Sequence, residues 1–148
     1  MKKIIITLFV LTVVFSCKEP IIIDNNNQYK TGVFEIPAGK GYSKTIITRI
    51  DSLQIEEYTK TVEISTDSSS YQRTEKHIDT LFIEWKNNFS YILRMKSPKT
   101  SLDKDKIFVN INKVTDSSYS FTAKIGFSKY KQTGTVYKVK DWWRYLPI

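Results

Sequence analysis

The sequence is short of the side chains on which many enzymes depend: among its 148 residues there is one cysteine, Cys17, and one histidine, His77. A single cysteine excludes an internal disulfide, and these two residues supply too few sulfur and nitrogen ligands for a zinc site. A Ser-His-Asp arrangement would have to use His77, with Asp79 on the same face of a strand. We interpret this pair as ordinary strand residues, and we expect no enzymatic activity, no metal and no cofactor.

Carboxylate pairs perform glycoside cleavage in many enzymes, and the candidates for such a pair are Glu56, Glu57, Glu63 and Glu84. All four lie in segments with strand character. Because acidic residues in such segments usually face water, we interpret them as solvated residues on outer strand faces.

A sustained helical period is also absent, and apolar residues recur instead at every second position. This alternation is typical of strands with one buried and one solvated face. The clearest run lies between Ser118 and Phe127, whose predicted buried series is Tyr119, Phe121, Ala123, Ile125 and Phe127. Similar or weaker alternation marks segments 33–36, 44–50, 53–58, 61–66, 81–85, 89–95, 107–111 and 133–139.

Residues that favour tight reversals separate these segments, among them Gly39-Lys40-Gly41, Lys86-Asn87-Asn88 and Asp116-Ser117. Short turns between successive strands favour antiparallel pairing, since parallel pairing requires long crossovers. The sequence therefore predicts an all-β protein, an antiparallel meander of about eight strands that forms a closed or half-open barrel. At most one helical turn is expected, between residues 97 and 106, after Pro98.

The amino-terminal residues have the pattern of an export signal. Lys2 and Lys3 precede a short apolar run that ends at Ser16-Cys17, and the run is too short to span a bilayer. Residues 14–17 resemble a bacterial lipobox, which implies that residues 1–16 are removed and that Cys17 carries lipid. The alternatives are a free thiol after an ordinary signal peptide and a buried cysteine that packs as a small hydrophobic residue. With several acyl chains, at about 0.8 kcal/mol per buried methylene, membrane anchorage would be permanent.

Residues 17–28 are predicted to be the lipidated cysteine and a tether, followed by a single domain over residues 29–148. Ile21, Ile22 and Ile23 leave a second interpretation open, in which this segment adds an edge strand to the domain.

The chain is basic, with a formal net charge of +8, and the excess positive charge follows Ser97. Such a surface suits lipid headgroups or acidic polymers, but the lysines are spread along alternating strand positions and form no run. We interpret the charge as a solvated face and expect no nucleic-acid partner for an exported protein.

The carboxyl-terminal tail is rich in aromatic residues: Trp142, Trp143 and Tyr145 surround Arg144. The tail is predicted either to cap the barrel or to bind a ligand, a partner or the membrane interface. It is the segment in which we place a binding role.

Four segments resemble small lipoproteins of Bacteroidota, particularly those of flavobacteria: residues 30–35, 49–56, 83–93 and 132–135. That family has no established activity. Some members carry the label DNA topoisomerase IV, although a chain of this length has no room for the domains of such an enzyme. Residues 58–76 are longer here than in the family.

The resemblance implies attachment to the outer membrane, facing the periplasm, with surface display as the alternative. Asp51-Ser52-Leu53 and Asp79-Thr80-Leu81 also match the O-glycosylation motif of exported Bacteroidota proteins, so Ser52 and Thr80 are candidate acceptors. The strand layout, with Gly32-Val33-Phe34 at its start, is similar to lipocalin-like barrels, which is a likeness of fold alone.

Two functional hypotheses follow. In the first, the domain is a non-enzymatic binding module for a small apolar ligand or an envelope polymer. In the second, it is an accessory subunit that docks on an envelope protein complex through its aromatic tail.

Overall fold

The computed structural model describes residues 27–66 and 69–140. The predicted leader, the lipidation site Cys17 and the aromatic tail lie outside the described residues. The strands are β1 (Gly32–Ile36), β2 (Thr45–Ile50), β3 (Leu53–Thr66), β4 (Ser69–Asn87), β5 (Ser90–Met95), β6 (Ile107–Val114), β7 (Ser118–Ile125) and β8 (Lys131–Lys138).

Each strand pairs antiparallel with the next in the chain, and β8 pairs with β1, so that the eight strands form a closed barrel. The closing contact is short, with Phe34 opposite Lys138 and Glu35 opposite Tyr137. The backbone N–H of Val139 extends it by donating to the Val33 carbonyl at 2.9 Å. The predicted all-β meander barrel is confirmed.

Helical structure among the described residues is limited to one 3-10 turn, Leu102–Lys104. It lies within the segment where the sequence predicts a single helical turn. No described helix has the length and apolar character needed to cross a bilayer.

The second hairpin is longer than the sequence predicts. Segments 53–58 and 61–66 form one continuous strand, β3, and β4 begins at Ser69 and not near Leu81. β2 pairs with β3 only as far as Glu57, and β5 pairs with β4 only as far as Leu81. Residues 58–66 and 69–80 therefore extend past the barrel as a two-stranded ribbon, which we call the projecting hairpin.

Within the strands, the apolar side chains at every second position lie in the core, as the sequence predicts. Beyond the strand ends they do not. Tyr119 is fully buried, but Phe127, predicted to be buried, is fully exposed in the turn after Gly126. Phe89 is likewise 58% exposed in the turn between β4 and β5. Both predictions are wrong for one reason: the apolar pattern continues in the sequence where the backbone has already turned.

One end of the barrel is closed by residues 27–31. The Tyr29 side chain is 2% exposed, and its hydroxyl lies 2.5 Å from the carbonyl oxygen of Thr115. Asn27 Nδ2 donates to the carbonyl of Asn88 at 3.1 Å. The short turns between strands lie at this closed end, whereas the longer loops and the projecting hairpin lie at the opposite, open end.

Candidate functional site

The barrel contains an internal cavity of about 160 Å³ between its closed and open ends. Aliphatic and aromatic side chains form most of the wall: Ile36, Ile47, Tyr91, Leu93, Ile107, Val109, Phe121, Ala123 and Val136. Three polar side chains, those of Gln54, Glu56 and Gln132, complete the wall. Apolar cavities of about 150 Å³ accept a benzene-sized group, so this space is large enough for a small apolar moiety.

Two wider hollows adjoin the cavity at the open end, and we call them together the mouth. One, of about 510 Å³, shares Ile36, Glu56 and Gln132 with the cavity. The other, of about 200 Å³, shares Glu56 and Ile107 with it. The barrel interior therefore opens to solvent through the mouth. Glu56 is the one residue that lines the cavity and both hollows of the mouth.

A buried arginine lies beneath the cavity on its closed-end side, bonded to Gln54 and Tyr91 of the wall, and we call this region the floor. Arg49, on β2, is 1% exposed, and its guanidinium makes four hydrogen bonds. Its partners are Gln54 Oε1 at 2.7 Å, the Tyr29 carbonyl at 2.8 Å, the Tyr91 hydroxyl at 3.0 Å and the Tyr119 hydroxyl at 2.7 Å. Arginine keeps its charge in proteins, so this end of the barrel holds a permanent buried cation.

Aromatic rings surround that cation. The guanidinium carbon lies 4.9 Å from the ring centre of Tyr91 and 5.1 Å from that of Phe34, with Trp85 and Tyr119 slightly farther away. These contacts lie within the distance at which a cation is attracted to the face of a ring. No carboxylate of the described chain forms an ion pair with Arg49, so hydroxyl, carbonyl and ring groups stabilise the charge in its place.

A short chain of hydrogen bonds connects the floor to the mouth. Gln54 accepts from Arg49 Nε and donates through Nε2 to Glu56 Oε1 at 2.5 Å. Burial raises the pKa of Glu56, although the bond from Gln54 and the charge of Arg49 act in the opposite direction. A carboxyl with a raised pKa thus stands where the cavity meets the mouth.

The aromatic residues Tyr42, Tyr58 and Tyr130 line the larger hollow of the mouth. The Tyr58 hydroxyl donates to Asp79 Oδ2 at 2.8 Å, and burial together with this bond raises the pKa of Tyr58. The ring of Tyr42 lies 6.0 Å from that of Tyr58.

His77 stacks on Tyr58, with ring centres 5.1 Å apart and planes within 9°. Its Nε2 is buried without a hydrogen bond and lies 3.8 Å from Glu75 Oε2. The Asp79 carboxylate bonds Tyr58 and not His77. Within residues 27–66 and 69–140, no three His, Cys, Asp or Glu side chains are close enough together to hold a metal ion.

The remaining predicted sites are dispersed. Ser52 is exposed in the turn between β2 and β3, and Thr80 is half-buried in β4. The predicted lipidation residue Cys17 and the predicted binding residues Trp142, Trp143, Arg144 and Tyr145 lie outside the described residues.

The interpretation of Glu56 as a solvated residue is wrong, whereas Glu57, Glu63 and Glu84 are exposed. Sequence reasoning also missed Arg49. The sequence of β2 does not indicate that Arg49 is buried, because Ile46, Thr48 and Ile50 on the opposite face form the more apolar series. In the structure, however, Ile50 is 50% exposed and Arg49 is buried. The only local signal is that pairing places Gln54 directly opposite Arg49.

Comparison of the chain with protein-family models, with curated proteins and with solved structures finds no match.

Proposed function

We propose that this protein is a non-enzymatic binding module of the bacterial envelope, anchored by lipid at Cys17, whose barrel interior takes up a small apolar ligand. The observation that carries the proposal is the apolar cavity that opens through the mouth. An eight-stranded barrel has room inside either for side chains or for one small ligand. Here side chains fill the closed end and leave the space beside Ala123 and Val136 empty.

The direction of the opening supports the same proposal. Residues 27–31 lie at the closed end, and the predicted anchor precedes them in the chain. The residues between Cys17 and Asn27 span at most roughly 30–35 Å when extended. An anchored molecule would therefore present its closed end to the membrane and could turn its mouth towards the aqueous space.

The exposed apolar residues of the open end support ligand entry. Leu102, Phe127 and Tyr130 are 60%, 103% and 73% exposed. Apolar side chains grouped at the rim of a cavity are typical of surfaces that contact a ligand or a partner.

The test uses octanol as a neutral apolar probe and the chain from Lys18 onward, which contains the complete barrel. Isothermal titration is expected to show one saturable site. Ala123→Phe should weaken binding by about tenfold or more, because the new ring occupies the cavity that Ala123 lines.

Ser117→Phe is the control, since it adds the same ring to an exposed residue of the turn between β6 and β7 at the closed end and should leave octanol binding unchanged. Circular dichroism checks that both variants keep the barrel. Absence of octanol binding, or equal binding by both variants, would contradict the proposal. A stable assembly with envelope proteins in native mass spectrometry, without a small molecule, would instead favour the accessory-subunit hypothesis.

A further inference from the structure

The charged side chains that line the cavity and mouth are all negative, although the chain as a whole has a net charge of +8. Four carboxylates line these spaces: Glu56, Asp79, Asp103 and Asp105. No lysine or arginine of the described residues lines any of them, although the Lys60 ammonium lies nearby against the Tyr42 ring. A ligand inside these spaces would therefore meet carboxylates first, which favours a cation.

Three of these carboxylates have structural partners that account for them. Asp79 Oδ2 accepts the Tyr58 hydroxyl at 2.8 Å. Asp103 Oδ2 accepts the backbone N–H groups of Lys99 and Thr100 at 2.9 and 2.8 Å, which order the 3-10 turn. Asp105 packs against Gly126, where an added Cβ would lie 3.1 Å from its carboxyl group. None of these arrangements needs a ligand.

Glu56 differs because it belongs to the wall of the apolar cavity as well as to the mouth. Its Oε1 accepts from Gln54, and burial raises its pKa. Glu56 is half-buried, and a partly desolvated carboxylate is stabilised by an opposite charge brought next to it. Within the described residues no lysine or arginine forms an ion pair with Glu56. A bound cation would supply that charge.

Aromatic faces at the mouth suit the same partner. Tyr42, Tyr58 and Tyr130 line the larger hollow, and the ammonium group of Lys60 already lies 5.6 Å from the ring centre of Tyr42. Tyrosine faces attract ammonium groups at such distances. Lys60 already contacts Tyr42, and His77 stacks on Tyr58, so the ring that best suits a ligand amine is Tyr130, which is 73% exposed.

We propose that the ligand of the barrel is an amphipathic amine, with its apolar part in the inner cavity and its ammonium group against Glu56 at the mouth. This inference rests on the proposed function and specifies the ligand class. The size of the cavity limits the apolar part of the ligand to a small group. The Glu56 carboxylate and the tyrosine rings select a positively charged group.

The test compares octylamine, octanol and octanoate at pH 7 with the chain from Lys18 onward. Octylamine is expected to bind about tenfold or more tightly than octanol, and octanoate should bind most weakly because it would place a second carboxylate beside Glu56. Glu56→Gln should abolish the preference for amine over alcohol, measured as the ratio of the two affinities in the same variant.

Glu57→Gln is the matched control, because Glu57 is the next residue on β3, exposed and paired at the surface with Lys76 at 3.4 Å. It should keep the full amine preference. Octanol and octylamine binding with equal affinity, or an amine preference that survives Glu56→Gln, would overturn this inference and leave the proposed function standing. Failure of all three probes to bind would overturn both.

Discussion

At the scale of single residues, Arg49 is the feature that most distinguishes this barrel from one with an apolar core. Its side chain is buried, donates four hydrogen bonds and lies among aromatic rings. Burying a charge is costly unless its hydrogen-bonding groups are satisfied. The network around Arg49 therefore fixes the floor of the cavity more tightly than aliphatic packing alone would.

Arg49→Lys tests that role. A lysine ammonium has three donors and a compact charge, so it cannot reach the acceptors that the guanidinium reaches. The free energy of unfolding is expected to fall by about 2–4 kcal/mol, as urea denaturation would measure. Arg94→Lys, at a side chain 50% exposed on β5, is the control and should change stability by less than about 0.5 kcal/mol. Equal losses in the two variants would contradict the argument.

Glu56 predicts a pH effect on stability. Because its pKa is raised in the folded state, the stability it contributes is present below the pKa of an unfolded glutamate, about 4.3. That contribution is lost as pH rises through the folded value. Glu56→Gln should therefore raise Tm by a few degrees at pH 7, and this gain should shrink towards zero near pH 4.

Thermal melts of wild type and Glu56→Gln across pH 4–7 make that comparison, with Glu57→Gln as the exposed control. A wild type that melts above Glu56→Gln at pH 7 would show that the carboxylate stabilises the fold. We expect instead that the Glu56 carboxylate lowers Tm at pH 7. Such destabilisation is common at binding sites, where a group that serves a ligand is kept at some cost to stability.

At the scale of elements, the projecting hairpin and the loop between β1 and β2 form one side of the mouth. The Ser43 N–H donates to the Thr59 carbonyl, and the Thr61 N–H donates to the Gly41 carbonyl, each at 2.9 Å. Beyond Thr61 the hairpin continues as a two-stranded ribbon with mainly exposed side chains. The base of the hairpin therefore positions Tyr42 and Tyr58, and its outer part lies away from the cavity.

A groove of about 390 Å³ runs along the outer face of β1 and β2 at the closed end, beside Val33, Ile50 and Val139. Val33 is only 3% exposed although Phe34, its neighbour, points into the core. Lys140, the last described residue, directly follows Val139, so the described part of the chain ends beside this groove. We expect Trp142 and Trp143 to pack there and to complete the closed end.

Deletion of Asp141–Ile148 tests this expectation. If Trp142 and Trp143 pack in the groove, their loss should lower Tm by about 5 °C or more, because large aromatic side chains contribute several kcal/mol when buried. Differential scanning calorimetry would measure it. Unchanged melting would contradict tail packing and would favour the hypothesis that the tail binds a partner.

At the scale of the whole molecule, the barrel has one closed and one open end, and the predicted anchor precedes the closed end in the chain. Residues 27–31 and 139–140 both lie at the closed end, while the cavity opens at the other. A lipid at Cys17 would therefore hold the molecule by the end that has no opening. Such an arrangement leaves the mouth free for a ligand in solution.

Cys17→Ser tests the anchor. Without the thiol there is no site for the lipid, and the protein should move from the washed membrane fraction to the soluble fraction. Immunoblots of the two fractions give the measurement, and Ser16→Ala is a control that keeps the cysteine and should stay in the membrane. Equal membrane association of the Cys17→Ser variant would show that something other than the lipid holds the protein.

Local sequence patterns are enough to predict the fold class and most of the core. Alternation along segments such as 107–111 and 119–125 reports burial directly, because a strand exposes one face and buries the other. Turn residues gave the order of the hairpins, and short hairpins leave a meander as the simplest topology. Where alternation ran past the end of a strand, at Phe89 and Phe127, the prediction was wrong.

The tertiary structure alone decided the candidate site. Whether Arg49 and Glu56 point into the barrel depends on which face of β2 and β3 turns inward, and the local polarity of β2 favours the opposite face, that of Ile46, Thr48 and Ile50. The volume of the cavity is likewise a property of the tertiary structure, because it is the difference between the volume that the closed barrel encloses and the volume that side chains fill. Closure joins residues far apart in the chain, so no local pattern contains that difference.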